Sequence, residues 1–138
     1  MDYDLSDDPD RIDVDAVWEF LSTEAYWGRS RSRNDVERQV EGAWRVVAAF
    51  EAGTNTLVGF ARAVSDGMGF AYLADVFVLP AHRGNELGKR IVSAMIDEGP
   101  GANFRWTLFT GDAHDLYRQF GFTEPDTTAM VRPARTPQ

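Results

Sequence analysis

The chain has no cysteine. That excludes thiolate nucleophiles, disulfides and every zinc site built on sulfur. Only two histidines are present, His82 and His114. Without sulfur they are too few for a zinc site, so surface or local bonding is expected for both and no metal is expected. No apolar run reaches the ~18 residues of a membrane span. The N-terminus, Met1-Asp2-Tyr3-Asp4, lacks the positive start of a secretory signal. Together with the missing cysteine this fits a cytoplasmic protein. Positive charge is also short. Lys and Arg number 14 against 22 Asp and Glu, for a formal net charge of −8. Nucleic acid and anionic membranes are disfavoured as general partners, because both need a basic face. No P-loop and no Gly-x-Ser-x-Gly elbow occurs, which argues against NTP hydrolysis and α/β-hydrolase chemistry.

What remains is an ordinary globular composition, 43% hydrophobic over 138 residues, the size of one domain over residues 1–138. Residues 1–6 read as a short edge strand. Asp13 is placed to cap a helix whose Val14, Val17, Trp18 and Leu21 share one face. A loop of aromatics and arginines follows, from Ser22 to Arg33. Ser32 with Asp35 resembles a capping box for a second helix to about Gly42. The period then changes to two at Trp44, Val46, Ala48 and Phe50. Gly53 to Thr56 reads as a hairpin turn to a strand from Leu57 to Val64. Phe70 to Leu79 is apolar enough for a central strand. A helix is expected from the turn after Gly84 to about Glu98, and a strand from Phe104 to Thr110. A short helix should then run to Phe120 with Gly121 as its C-cap, and a last strand is expected within residues 123–132. The order is β, α, α, β, β, β, α, β, α, β.

The turn at Arg83-Gly84-Asn85-Glu86-Leu87-Gly88 joins the apolar strand to an amphipathic helix. Such a turn leaves backbone N–H groups unpaired at the positive end of the helix dipole, where phosphate binds. Arg83, Lys89 and Arg90 add charge beside it. The physical reading is a pyrophosphate cradle. About thirty residues on stands Ala113-His114-Asp115-Leu116-Tyr117-Arg118-Gln119-Phe120-Gly121-Phe122.

These two segments, in this order, resemble the GNAT superfamily of acyl-CoA-dependent N-acyltransferases. The turn is similar to its Arg/Gln-x-x-Gly-x-Gly/Ala pattern, with Glu86 at the usual central glycine. The second segment is similar to its Ala-x-x-Leu-Tyr-x-x-x-Gly-Phe pattern. The resemblance implies an α/β (α+β) fold with a mixed, mostly antiparallel, strongly twisted sheet, splayed between central strands and flanked by helices. It implies acetyl-CoA or coenzyme A as co-substrate. Backbone amides of Arg83, Gly84, Asn85, Glu86, Leu87, Gly88 and Lys89 would hold the pyrophosphate. The strand segment Val76, Phe77 and Val78 would pair with the pantetheine arm. Tyr117 would lie near the thioester sulfur, and Thr110 occupies the position that often holds a pantetheine-contacting Asn. Glu86 is expected to point outward. Similar members are often dimers, which by analogy makes a homodimer the assembly to test.

The chemistry implied is acetyl transfer to a primary amine of a small molecule or peptide. A lysine-like amine has a pKa near 10.4, so about one molecule in a thousand is neutral at pH 7. A carboxylate would help remove the proton. Asp75, in an otherwise apolar strand, is the leading candidate and Glu24 the second. Asp75 has an alternative role as a structural carboxylate bonded to backbone or to Arg62. Tyr117 is either the acid for the leaving thiolate or a core tyrosine. The loop of Tyr26, Trp27, Arg29 and Arg31 either lines the acceptor pocket or caps the core. Arg29, Arg31 and Arg33 hint at an acceptor bearing a carboxylate. The competing readings are a catalytically silent acyl-CoA-binding module and an unrelated phosphate-site protein.

Overall fold

Side-chain alternation places the sheet between two apolar layers. On β2 (Arg45–Glu51) and β3 (Leu57–Ser65), Val46, Ala48, Phe50 and Phe60 point to one side. There they meet Val17, Phe20 and Leu21 of α1 (Val14–Thr23) and Val36 and Val40 of α2 (Arg33–Glu41). Val47, Ala49, Ala61 and Ala63 point the other way, onto Leu87, Ile91, Val92 and Met95 of α3 (Leu87–Met95). Burial on both faces explains why these strands are apolar almost throughout. The computed structural model describes residues 2–25 and 30–135. The sheet runs in the order β1-β2-β3-β4-β5, with β1 (Tyr3–Ser6) at one edge. β4 (Phe70–Val78) is antiparallel to β3, and β5 (Arg105–Thr107) is parallel to β4. The last helix, α4, is His114–Arg118. Among the described residues no helix is long and apolar enough to cross a membrane.

The local signals form as expected at the first two helices. Asp13 accepts the Ala16 N–H at 3.2 Å. Ser32 and Asp35 each accept the other's backbone N–H, at 3.1 and 2.9 Å. Each bond satisfies an amide that the first turn leaves without a helical partner. At α4, Gly121 and Phe122 donate back to Arg118 and Tyr117, a Schellman closure that agrees with a glycine stop.

Three boundaries differ. The expected helix to Glu98 ends at Met95, because the Arg45 guanidinium takes the Ala94 carbonyl at 2.9 Å. That carbonyl would otherwise accept the Glu98 N–H, which bonds to Ser93 instead. The expected strand over Phe104 to Thr110 keeps only Arg105–Thr107, since β4 diverges beyond Tyr72 and offers no further ladder partner. The strand expected within residues 123–132 does not form. Asp126 accepts the Thr128 N–H and hydroxyl, and Ala129 donates back to the Asp126 carbonyl. This side-chain turn bends the segment, and Pro125 and Pro133 lack ladder donors.

α3 approaches the sheet closely at Gly59. A Cβ there would lie 2.6 Å from Ile91 Cδ1 and 3.2 Å from the Phe77 carbonyl. Ile91 is fully buried, so relief of the contact requires repacking between α3 and the sheet. Gly59→Ala is therefore expected to destabilise the fold by about 1–3 kcal/mol. Thermal melting checks this, and an unchanged midpoint would show that the layer yields.

Candidate functional site

β4 carries one more residue than β3 can match. Phe60 opposes Phe77 and Arg62 opposes Ala74, so two steps on β3 span three on β4. The excess is absorbed at Asp75, whose φ of 54° lies in the left-handed region. A bulge of this kind bends its strand and takes the extra residue out of the ladder. On the other side, the parallel pairing of β4 with β5 ends at Tyr72. Bend and lost pairing open a cleft of about 600 Å³ beside Val76, Phe77 and Val78.

The rest of the cleft comes from the turn after β4 and from α1 and α4. Glu24, Arg83, Gly84, Glu86, Leu87, Gly88, Lys89 and Tyr117 all line it. Two segments far apart in sequence thus share one cavity. Among the described residues, none of the backbone amides from Gly84 to Lys89 donates a hydrogen bond to the chain. The preceding amide, that of Arg83, reaches the Pro80 carbonyl at 3.4 Å. Gly84 has φ 86° and Glu86 has φ 61°, so the turn needs left-handed backbone at two positions. Glycine meets that need without strain at Gly84. At Glu86 a side chain has to bear it. Its carboxylate turns outward, 68% exposed and 2.9 Å from Lys89 Nζ.

Several expected residues have other geometry. Asp75 does not line the cleft. Its carboxylate, 5% exposed, receives Arg31 at 2.8 and 2.9 Å and Arg62 at 2.7 Å. Burial alone would raise its pKa, but the two guanidiniums outweigh burial and hold it below the usual carboxylate range. This is the structural role, with Arg62 as the foreseen partner, and it makes Asp75 a poor proton acceptor. Arg31 bonds to Asp75 and, at 2.6 Å, to Gln39, and it does not line the cleft. Arg33 pairs with Asp15 and Glu37. Tyr26, Trp27 and Arg29 lie outside the described residues. Thr110 is not in the cleft; its hydroxyl accepts the Asp112 and Ala113 amides ahead of α4. The Asn85 side chain bonds to Tyr3 and to the His82 carbonyl. The Arg83 guanidinium donates to the Val78 carbonyl at 3.0 Å, occupying an acceptor expected to face the ligand.

Tyr117 is buried, edge-on to Phe122 at 5.8 Å between ring centres, with its ring also on the cleft wall. Tyr117 thus has the burial expected of a core tyrosine and also stands on the cleft wall. Sequence reasoning missed Phe20, Leu116 and His82 as cleft residues. Phe20 and Leu116 carry only the signature of core positions. His82 stands directly before Arg83, but no local pattern shows that it is buried. A larger groove, about 770 Å³, lies against the β1 side of α3. Its basic side chains are engaged, Arg45 with Asp7 and Lys89 with Glu86.

The model of the acetyltransferase (GNAT) family matches residues 14–122, which include both the turn and the Tyr117 segment. The chain belongs to this family. A Gibberella zeae protein named for acetyltransferase activity is 30% identical over 132 residues, covering 87% of this chain and 72% of its own. A Xanthomonas campestris pv. campestris crystal structure, assigned to GNAT acetyltransferases, is 32% identical with a TM-score of 0.88. The match covers 97% of this chain and 94% of that one. A Staphylococcus aureus protein of unknown function shares the fold, with a TM-score of 0.77 at 19% identity over 98% and 100% of the two chains. The mostly antiparallel open sheet flanked by helices is the GNAT fold.

The Asp75 cluster of this GNAT chain generates a stability prediction. Asp75→Asn would leave two guanidiniums facing a neutral amide, at a cost of about 3–5 kcal/mol. The folded carboxyl value lies below the unfolded one, which is near 3.9. The carboxylate's contribution is thus complete above that pH and lost as pH falls through the folded value. Denaturant melts of wild type and Asp75→Asn should converge toward acid. Equal stabilities at pH 7 would contradict this account.

Proposed function

We propose that the chain transfers an acetyl group from acetyl-CoA directly to a primary amine of a small molecule or peptide. The observation that carries this reading is the row of backbone amides, Gly84 to Lys89, that donate to no group of the described chain. Amides at a helix start, backed by its dipole, suit a pyrophosphate. They also answer the charge problem of a chain with net charge −8, because they attract an anion without any formal charge. Acetyl-CoA supplies an activated thioester carbonyl. Val76, Phe77 and Val78 border the cleft where β4 has lost its neighbour on the β5 side, the place for an extended pantetheine arm.

The remaining roles follow from position. A β4 amide beside the bulge, that of Val76, is the donor for oxyanion charge developing on the thioester oxygen. Tyr117 protonates the departing thiolate, since a phenol is a proton donor placed on the cleft wall. Glu24, at the C-terminal end of α1 and on the cleft wall, replaces Asp75 as acceptor of the amine proton. Direct transfer needs no covalent enzyme intermediate, and no nucleophile is assigned.

Calorimetry with coenzyme A and a thioester-cleavage assay over an amine panel test the reading. Binding heat is expected with coenzyme A. Tyr117→Phe should lower kcat by about 10²-fold or more with little change in KM. Glu86→Gly should tighten coenzyme A binding roughly threefold, by removing a carboxylate and a left-handed side chain from the turn. No heat with coenzyme A would overturn the donor assignment. Binding without turnover above that of Tyr117→Phe would instead make the chain a silent acyl-CoA-binding module.

A further inference from the structure

Tyr3 belongs to the edge strand β1, yet its side chain is built into the turn that starts α3. Its phenol oxygen lies 3.0 Å from His82 Nδ1 and accepts from Asn85 Nδ2 at 3.2 Å. Asn85 Nδ2 also donates to the His82 carbonyl at 3.2 Å. The Tyr3 carbonyl accepts from the Arg90 guanidinium at 3.4 Å. On its other side the His82 ring faces Glu51, with Nε2 3.5 Å from a carboxylate oxygen.

Asn85 fills an acceptor position on the phenol oxygen, and the phenol and Nδ1 share one hydrogen bond. Tyr3 and His82 are 7% and 9% exposed, so water competes weakly for these bonds.

The anchored positions matter because of what lies between and after them. His82 and Asn85 flank Gly84, the residue with φ 86°. Among the described residues, the amides that follow donate to no group of the chain, so their own bonds do not fix the turn. We propose that Tyr3 is a positioning residue for this turn: its phenol ties His82 and Asn85 to the sheet edge and holds the amides ready for a phosphate-bearing ligand. The inference rests on the acetyl-CoA reading and assigns to β1 a part in donor affinity.

Calorimetry with coenzyme A on wild type, Tyr3→Phe, Asn85→Ala and the double variant tests it. Each single variant should weaken binding about 3–10-fold, the range that one lost hydrogen bond gives. The double variant should lose less than the sum of the two single losses, since both cut the Tyr3–Asn85 bond. Tyr3→Phe should raise KM for acetyl-CoA and leave kcat within about twofold, a split that general loss of stability does not produce. Wild-type heat with an unchanged Tyr3→Phe affinity, or fully additive losses, would overturn the positioning role and leave the donor reading standing. No wild-type heat would overturn both. If Tyr3→Phe fails to fold, amide exchange in ligand-free Asn85→Ala decides. Faster exchange confined to residues 84–89 supports the role, and unchanged exchange there overturns it.

Discussion

The site depends on one surplus residue in β4. A strand that matched β3 residue for residue would continue straight from Phe70 to Val78, and β5 could follow it along that length. The extra residue at Asp75 bends β4 instead, and the parallel partner is lost beyond Tyr72. The backbone conformation at the bend costs a non-glycine residue about 1–3 kcal/mol. Aspartate is among the residues that tolerate it best, and here its side chain works against the cost. Arg31 arrives from the start of α2 and Arg62 from β3, and both close on the carboxylate. The ion cluster ties the segment before α2 and the β3 ladder to the one point where the sheet has to break. A glycine would enter the bulge more easily and would leave two buried guanidiniums without their shared carboxylate.

Periodicity made most of the fold legible. Val46, Ala48 and Phe50 against Val47 and Ala49 announce a strand covered on both faces, and Asp13 and Ser32 announce helix starts through short-range bonds. Such signals are local, and the errors arise where a distant group intervenes. Arg45 on β2 ends α3 by taking a carbonyl that no local pattern marks as contested. The segment 123–132 has the composition of a strand, but an aspartate three residues before Ala129 turns it first. The site divides in the same way. The turn and the Tyr117 helix are legible because their spacing is short. That Asp75 joins Arg31 across 44 residues, or that Tyr3 joins His82 across 79, is a property of the folded chain only.

The turn also separates two ways of attracting an anion. One formal charge is offset, since Lys89 lies on Glu86, and the Arg83 guanidinium is turned onto the Val78 carbonyl. What it keeps is a series of amides with no acceptor among the described residues, at the start of a nine-residue helix. Fixed dipoles need no counter-ion displaced before a phosphate docks, and they do not collapse onto acidic neighbours as a flexible lysine does. A strongly acidic protein can hold a polyanion on those terms. Held geometry then replaces charge as the requirement, which is why a contact from the sheet edge to the turn matters.

Charge stabilisation and position also separate the two carboxylates proposed for proton removal. A base is useful in proportion to its own affinity for the proton and to its contact with the reacting amine. Asp75 fails on both counts. Two guanidiniums stabilise its charged form, and it lies outside the cleft wall. Protonating it would also leave those guanidiniums facing a neutral acid in a buried setting, a penalty repeated in every catalytic cycle. Glu24 carries no such obligation toward the fold. It caps α1 at the exposed end of the cleft, where solvent can take the proton onward. An amine near pKa 10.4 gives up its proton reluctantly to any carboxylate at neutral pH. The carboxylate therefore acts best as a relay to water, and a relay has to stand at the solvent boundary, where Glu24 stands and Asp75 does not.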